Sequence, residues 1–149
     1  MAIAEGCTGG LVSALLTSVP GASDYLVRTV VPYSYDPLRT TMGVTREALD
    51  EHGAVSEPVV EALARRARDL SDATWGLATT GIAGPGGGSE SDPIGTGYVA
   101  VARSAPWGSQ ASSVGSSRHT FEGNRNEIRE RLARTALRSL LERVRDPNQ

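Results

Sequence analysis

Two adjacent side chains in this sequence are of types that covalent catalysis uses as nucleophiles. Cys7 and Thr8 lie in the turn Gly6-Cys7-Thr8-Gly9-Gly10, between an apolar segment at residues 2–4 and a helical pattern at residues 11–16. A thiol at the start of a helix has a lowered pKa and is a better nucleophile. The alternative interpretations are a small thiol packed in the core and a threonine that caps the helix or contacts a substrate.

The sequence offers no lysine that could act as a base. All fifteen basic residues are arginine, and a guanidinium stays protonated at any ordinary pH. The single cysteine excludes an internal disulfide and any zinc site that needs several thiolates. His52 and His119 are far apart and lack the spacing of metal ligands. We therefore expect no metal and no cofactor.

Two glycine-rich segments could bind phosphate through backbone N–H groups. Gly9-Gly10 opens the first helix, where free N–H groups and the helix dipole favour an anion such as a mononucleotide phosphate. Residues 81–88 are the most glycine-dense segment of the chain, and they could surround a phosphate or a ribose, or form only a turn. They match neither a Walker loop, since no Gly-Lys-Ser/Thr follows, nor a dinucleotide fingerprint.

Alternating helices and strands must position these turns. Apolar and β-branched patterns predict strands at residues 1–5, 25–32, 74–80, 97–103 and 116–121. Helices are predicted at residues 11–16, 45–51, 56–70 and 124–145, and residues 32–37 are predicted to form a loop. This order is typical of a three-layer α/β/α fold with a mostly parallel or mixed sheet. Such sheets bind ligands beyond the carboxyl ends of their strands, which here means the turns at residues 5–10, 32–39 and 80–88.

Composition limits the class of protein. The 149 residues suit one domain spanning residues 1–149. The formal net charge of −2 gives no electrostatic footprint for nucleic acid or an anionic membrane. The apolar runs are far shorter than the roughly 20 residues that span a bilayer, and no secretion signal is evident. We therefore expect a cytoplasmic protein.

The three turns resemble those of the CinA C-terminal domain family. The family's Ala-Glu-Ser-Cys-Thr-Gly-Gly corresponds to residues 4–10, and its Tyr-Ser motif, with a lysine five residues after the tyrosine, corresponds to residues 33–38. The segment His-Gly-Ala-Val-Ser-Glu-Pro-Val is present whole at residues 52–59, and Gly-Ile-Ala-Gly-Pro-x-Gly-Gly at residues 81–88. The late Phe-x-Gly-x-Arg ends at Arg125. The match spans nearly the whole chain in the right order.

This resemblance implies a known reaction, the hydrolysis of nicotinamide mononucleotide to nicotinate mononucleotide and ammonia by a serine and a lysine. Here the serine position is Gly6 and the lysine position is Leu38, while Tyr33 is retained. Arg125 is expected to reach a ligand phosphate, or to form a salt bridge. The implied ligand contacts are Cys7, Thr8, Gly9, Gly10, Tyr33, Gly81, Gly84, Gly86, Gly87 and Arg125. The resemblance also implies a homo-oligomer.

Another departure from the family is the N-terminus. Family members have a helix before the first strand, and Met1 here stands almost at that strand. Without such a helix, one face of the sheet is expected to lack its cover.

Three functions are compatible with these residues. The first is a pyridine mononucleotide pocket that has lost most or all of the family's hydrolysis, because Gly6 offers no nucleophile and Leu38 offers no base. The second is an active amidohydrolase that uses Cys7, Thr8 or a bound water. The third is a structural or regulatory subunit without a ligand.

Overall fold

Five strands form one mixed sheet in this computed structural model, which describes residues 1–105 and 112–146. The strands are β1 (Ala2–Glu5), β2 (Arg28–Val30), β3 (Trp75–Gly81), β4 (Thr96–Arg103) and β5 (Ser113–Thr120). Their order across the sheet is β2-β1-β3-β4-β5. β1 runs parallel to β2 and β3, whereas β4 is antiparallel to both β3 and β5. The parallel half therefore brings the carboxyl ends of β1, β2 and β3 to one edge.

Helices cover both faces of this sheet and complete the predicted three layers. They are α1 (Leu11–Thr17), α2 (Tyr35–Thr40), α3 (Arg46–His52), α4 (Glu57–Asp69) and α5 (Arg125–Arg145). One buried apolar cluster joins α2, α3 and α4 to the sheet, and a second joins α1 and α5 to its other face. α4 lies directly on β3, since a Cβ on Gly76 would come 2.0 Å from the carbonyl oxygen of Ala64.

The predicted elements agree with the structure within about one residue except around residues 22–40 and at β5, which begins at Ser113 and not at residue 116. The strand expected at residues 25–32 is only the three residues of β2, because the chain forms a 3-10 turn at Ala22–Asp24 and β2 pairs with β1 alone. The loop expected at residues 32–37 was wrong in its second half, where α2 begins at Tyr35. Pro37 lies in the first turn of that helix, a position proline tolerates.

The second face of the sheet carries α1 and α5, so it is not bare as the expectation about the N-terminus implied. An open apolar hollow of about 760 Å³ remains beside these helices. Its rim includes half-exposed side chains of Val27, Leu141 and Val144. In the described part of the chain, no helix is long and apolar enough to cross a membrane.

Candidate functional site

The three turns that the sequence singles out meet at one pocket of about 270 Å³. Most of the predicted site residues line it: Gly6, Cys7, Tyr33, Leu38, Gly81, Gly84, Gly86, Gly87 and Arg125. Pro32 and Thr80, which lie within the predicted turns, also line the pocket, and so do Ala54, Val55 and Leu63, which the sequence did not suggest. Thr8, Gly9 and Gly10 are not among the lining residues.

Gly6 stands where β1 ends and lies against β3. Its N–H donates to the carbonyl oxygen of Thr79 at 2.8 Å. A Cβ at Gly6 would come 2.9 Å from that same oxygen and 3.3 Å from the Cα of Thr80. The residue therefore allows a close approach of two backbones, and a side chain there requires a shift of a few tenths of an ångström.

Leu38 forms part of the apolar wall of the pocket. It lies in α2 with 6% of its surface exposed and belongs to the same buried cluster as Leu63 of α4. Thr80 is a polar residue of the same lining, and its hydroxyl donates to the carbonyl oxygen of Ala54 at 2.9 Å. This wall has no group that could take a proton from a nucleophile.

The thiol of Cys7 is not activated. Burial raises its pKa to about 11, although the cations of Arg129 and Arg125 oppose the rise. The expectation that the helix terminus lowers this pKa was therefore wrong, because loss of hydration outweighs the nearby positive charge. Cys7 packs against the apolar cluster beneath α1 and α5, and it is a neutral thiol at physiological pH.

The N-terminus of α1 is already occupied by a carboxylate of the same chain. Glu5 is fully buried, and its oxygens accept from the N–H groups of Gly10 (3.1 Å), Val12 (3.0 Å) and Ser13 (2.9 Å). Thr8 is also fully buried, and its hydroxyl lies 2.8 Å from both Glu5 Oε2 and Thr79 Oγ1. The free N–H groups expected at Gly9-Gly10 are therefore not free, because Gly9 donates to the carbonyl oxygen of Gly6 and Gly10 donates to Glu5.

Arg129 fixes the same turn from the opposite side. Its Nε donates to the carbonyl oxygen of Cys7 and its Nη2 to that of Thr8, each at 3.0 Å. The sequence analysis did not select Arg129 or Glu5. A signal was present for each, since Glu5 ends a buried strand and Arg129 is one helical turn after Arg125.

Arg125 joins the other two turns at the mouth of the pocket. Its Nη1 donates to the carbonyl oxygen of Gly84 at 2.6 Å and its Nη2 to the hydroxyl of Tyr33 at 2.7 Å. Asn124 caps the N-terminus of α5 in a capping box with Glu127. This cap sets the direction in which Arg125 projects. Among the described residues, no carboxylate pairs with Arg125, so its charge stays available to an anion.

The loop after β3 presents mainly backbone to the pocket. Gly84 and Gly87 have positive φ angles of 78° and 87°, and a Cβ on Gly86 would meet nothing within 4 Å. Ile94 packs beneath Gly84 and Gly88 and supports the loop from below. A ligand can therefore approach this backbone closely.

The histidines take no part in this site. His52 is exposed at the end of α3, and His119 stacks on Phe121 with its Nε2 2.8 Å from Ser117 Oγ. Over residues 1–105 and 112–146, no three His, Cys, Asp or Glu side chains are placed to hold a metal ion.

Comparison with known proteins gives the same family as the motifs. The sequence model of the CinA C-terminal domain matches residues 1–144. A CinA-like protein of Anaeromyxobacter sp. (strain K) is 45% identical over 140 residues, which cover 94% of this chain and 33% of the relative. A CinA-like protein of Chlorobaculum tepidum is 41% identical over 146 residues, with 98% and 34% covered. This chain thus spans about one third of the length of these curated relatives.

Solved structures share the fold. The competence/damage inducible protein CihA of Agrobacterium tumefaciens is 37% identical with a TM-score of 0.87, and the match covers 94% of this chain and 82% of that one. The competence damage-inducible protein A (ComA) of Klebsiella pneumoniae is 29% identical with a TM-score of 0.88, covering 97% and 85%.

Proposed function

Since this chain belongs to the CinA C-terminal domain family, we propose that it binds a pyridine mononucleotide and has lost the family's hydrolysis of the carboxamide. One observation carries the proposal. Gly6 and Leu38, at the positions of the family's nucleophile and base, line the same pocket, and neither has a group that could perform either step. The relatives are longer than this chain, so the proposal concerns this segment alone.

The loss of both groups removes a catalytic unit. A nucleophile and its base act together, and losing either one removes most of the advantage of both, on the order of a millionfold where such units have been dissected. The chain contains no lysine, so it cannot recruit that base from elsewhere. The two histidines lie outside the lining of the pocket.

The parts that would bind the ligand are still arranged around the pocket. Arg125 is the one charged side chain among the lining residues, and its planar guanidinium suits a phosphate. Tyr33 is 59% exposed beside it, and the loop at residues 84–88 offers accessible backbone. Together they favour an anion at the mouth of the pocket.

An active amidohydrolase is the alternative that this geometry disfavours. The thiol of Cys7, with a pKa raised to about 11 by burial, is a poor nucleophile at neutral pH. The hydroxyl of Thr8 is buried and bonded to Glu5 and Thr79. A water nucleophile would still need a base, and the lining side chains provide none.

Two measurements test the proposal. Calorimetry with nicotinamide mononucleotide should detect binding, and an ammonia assay with the same compound should detect no release above background. Robust turnover that persists in a Cys7→Ala variant would overturn the loss of hydrolysis. An absence of binding would leave the third possibility, a subunit without a ligand.

Restoring the missing groups tests the cause of the loss. Gly6→Ser alone should do little, because the hydroxyl would have no base. Gly6→Ser with Leu38→Lys should restore measurable ammonia release, once β3 shifts enough to accept a Cβ that now falls 2.9 Å from Thr79 O. Gly6→Ala with Leu38→Lys is the matched control, since it makes the same backbone contact without the hydroxyl.

We also propose that the chain forms a homo-oligomer and does not bind nucleic acid or a membrane. The net charge of −2 argues against polyanionic partners. The half-exposed Val27, Leu141 and Val144 around the apolar hollow are compatible with contact between copies. A monomer by light scattering at tens of micromolar would contradict the oligomer. A cytoplasmic location stays a prediction.

A further inference from the structure

The polar side chains that line the pocket are nearly all engaged by the protein itself. Of the described side chains that line the pocket, four are polar: those of Cys7, Tyr33, Thr80 and Arg125. The Thr80 hydroxyl donates to Ala54 O, and the Tyr33 hydroxyl accepts from Arg125. The thiol of Cys7 is neutral and only a weak hydrogen-bonding group. The pocket therefore offers few side-chain partners to an uncharged polar group.

The apolar part of the lining is deeply buried. Leu38 and Leu63 are 6% and 1% exposed, and with the buried Pro32 they form an apolar wall of the pocket. Thr80 is as buried as Leu38, but its hydroxyl already donates to the carbonyl oxygen of Ala54. Tyr33 and Arg125 are exposed and stand at the mouth. A ligand whose anion meets Arg125 must therefore place its other end against apolar side chains.

We propose that this pocket selects a mononucleotide whose ring carries no hydrogen-bonding substituent over one with a carboxamide, and that Leu38 determines this choice. The inference rests on the proposed function, since it concerns the ring end of the same ligand. A carboxamide at the Leu38 wall would leave its hydrogen bonds to water behind and would gain none from the side chains of that wall. A small alkyl substituent such as a methyl group would instead bury apolar surface there.

The size of the preference follows from the cost of burying an unpaired amide. Protein substitution data place that cost in a range equivalent to roughly a tenfold to a hundredfold change in affinity. Apolar pockets discriminate between ligands of similar shape by about the same factor. The preference should therefore be measurable without being absolute.

A matched pair of ligands tests the wild-type chain. Nicotinamide mononucleotide and the analogue with a methyl group in place of its carboxamide share the pyridinium, the ribose and the phosphate. Calorimetry should give a dissociation constant roughly tenfold to a hundredfold lower for the methyl analogue. Equal affinities, or tighter binding of the carboxamide, would overturn the specificity while leaving the proposed function intact. Binding of neither compound would overturn both.

Substitution of Leu38 tests whether this residue is responsible. Leu38→Gln places an amide at the wall and should reduce the preference for the methyl analogue by tenfold or more. Leu38→Met is the matched control, because it keeps the wall apolar at similar volume and should retain the wild-type ratio. The ratio of the two dissociation constants is the readout, so a general loss of affinity in a destabilised variant does not mimic the effect. An unchanged ratio in a folded Leu38→Gln protein, as judged by its thermal unfolding, would overturn the role of Leu38.

Discussion

Two glycine-rich turns at the same edge of the sheet differ in how much of their backbone faces the pocket. The turn at residues 6–10 is closed, because Glu5 accepts from the N–H groups of Gly10 and of the first turn of α1, and Arg129 donates to the carbonyl oxygens of Cys7 and Thr8. The loop at residues 81–88 is open, and Gly81, Gly84, Gly86 and Gly87 line the pocket. Glycine content predicts that the backbone is accessible in both, yet the first turn contributes only Gly6 and Cys7 to the pocket, and Gly9 and Gly10 do not line it.

The difference comes from charges supplied at other points of the chain. Glu5 immediately precedes its turn and lies at the end of a fully buried strand, so its carboxylate must find partners within the protein. The N–H groups at the start of α1 are the donors within reach. The loop after β3 has no such carboxylate, and the residue that reaches it is a cation, Arg125. A helix terminus next to a buried acid is thus closed before any ligand arrives.

The largest effect should come from opening the closed turn. Glu5→Ala removes a fully buried carboxylate that accepts from Thr8, Gly10, Val12 and Ser13. The variant leaves these donors unpaired and creates a cavity, so we expect the free energy of unfolding to fall by about 3–5 kcal/mol. Urea denaturation followed by circular dichroism measures it.

Glu127→Ala is the control for that experiment. Glu127 also accepts from the N–H of a helix N-cap, Asn124, but it does so on an exposed surface. Its removal should lower the free energy of unfolding by only about 1 kcal/mol. Equal losses in the two variants would mean that the buried carboxylate does not hold the turn closed.

A smaller effect is expected at the open loop, and it should fall on binding. Arg125→Ala removes the one charged side chain that lines the pocket, and the affinity for a mononucleotide should fall roughly tenfold to a hundredfold. The affinity of Arg125→Lys should lie between those of the wild-type protein and Arg125→Ala, because lysine keeps the charge and lacks the planar guanidinium. Calorimetry at two salt concentrations measures both variants. Arg134→Ala is the control, because it removes an exposed α5 arginine that is paired with Glu130. An equal loss of affinity in this variant would mean that Arg125 acts only through the overall charge of the protein.

The contrast between the turns also marks the limit of sequence-based prediction. Local patterns were sufficient for α4, α5, β3 and β4, whose apolar periodicities are long and whose predicted bounds lie within one residue of the structure. They were also sufficient to place the three turns at one edge, because the carboxyl ends of neighbouring parallel strands must meet there. The capping of α5 by Asn124 and Glu127 could be predicted because both partners lie within one turn.

The features that the sequence could not predict depend on residues that are distant along the chain. Arg129 bonds to Cys7 and Thr8 across more than a hundred residues of chain, and no local pattern reports such a pair. The pKa of Cys7 likewise depends on how deeply the folded protein buries it. The first half of the short helix α2 was predicted as a loop, because residues 35–40 contain a proline and have little apolar periodicity. The burial of Leu38 against α4 stabilises this helix, which local propensity alone would not.

Arg129 provides the second set of hydrogen bonds that hold the closed turn. Arg129→Ala leaves two carbonyl oxygens without their charged donor, and the free energy of unfolding should fall by about 1–3 kcal/mol. Arg129→Lys should recover part of this loss, because an ammonium reaches one carbonyl more easily than two. Urea denaturation compares them, with Arg134→Ala again as the exposed control. A loss no greater than that of the control would leave Glu5 as the sole support of the turn.

The smallest effect concerns the charge that Arg129 places near Cys7. Burial raises the pKa of this thiol to about 11, and Arg129 is the largest of the influences that lower it. Only the thiolate reacts with iodoacetamide, so the alkylation rate should rise about tenfold per pH unit from pH 7 to pH 10 without levelling off. An exposed cysteine, with a pKa near 8.5, would level off within that range. In Arg129→Ala the lost cation should raise the pKa further and slow alkylation at every pH below 10, provided that the variant remains folded. The pH profile is the decisive readout, because access alone changes the rate equally at all pH values. An alkylation rate that is half-maximal near pH 8.5 and levels off above about pH 9.5 in the folded wild-type protein would mean that the closed turn leaves Cys7 hydrated and chemically available.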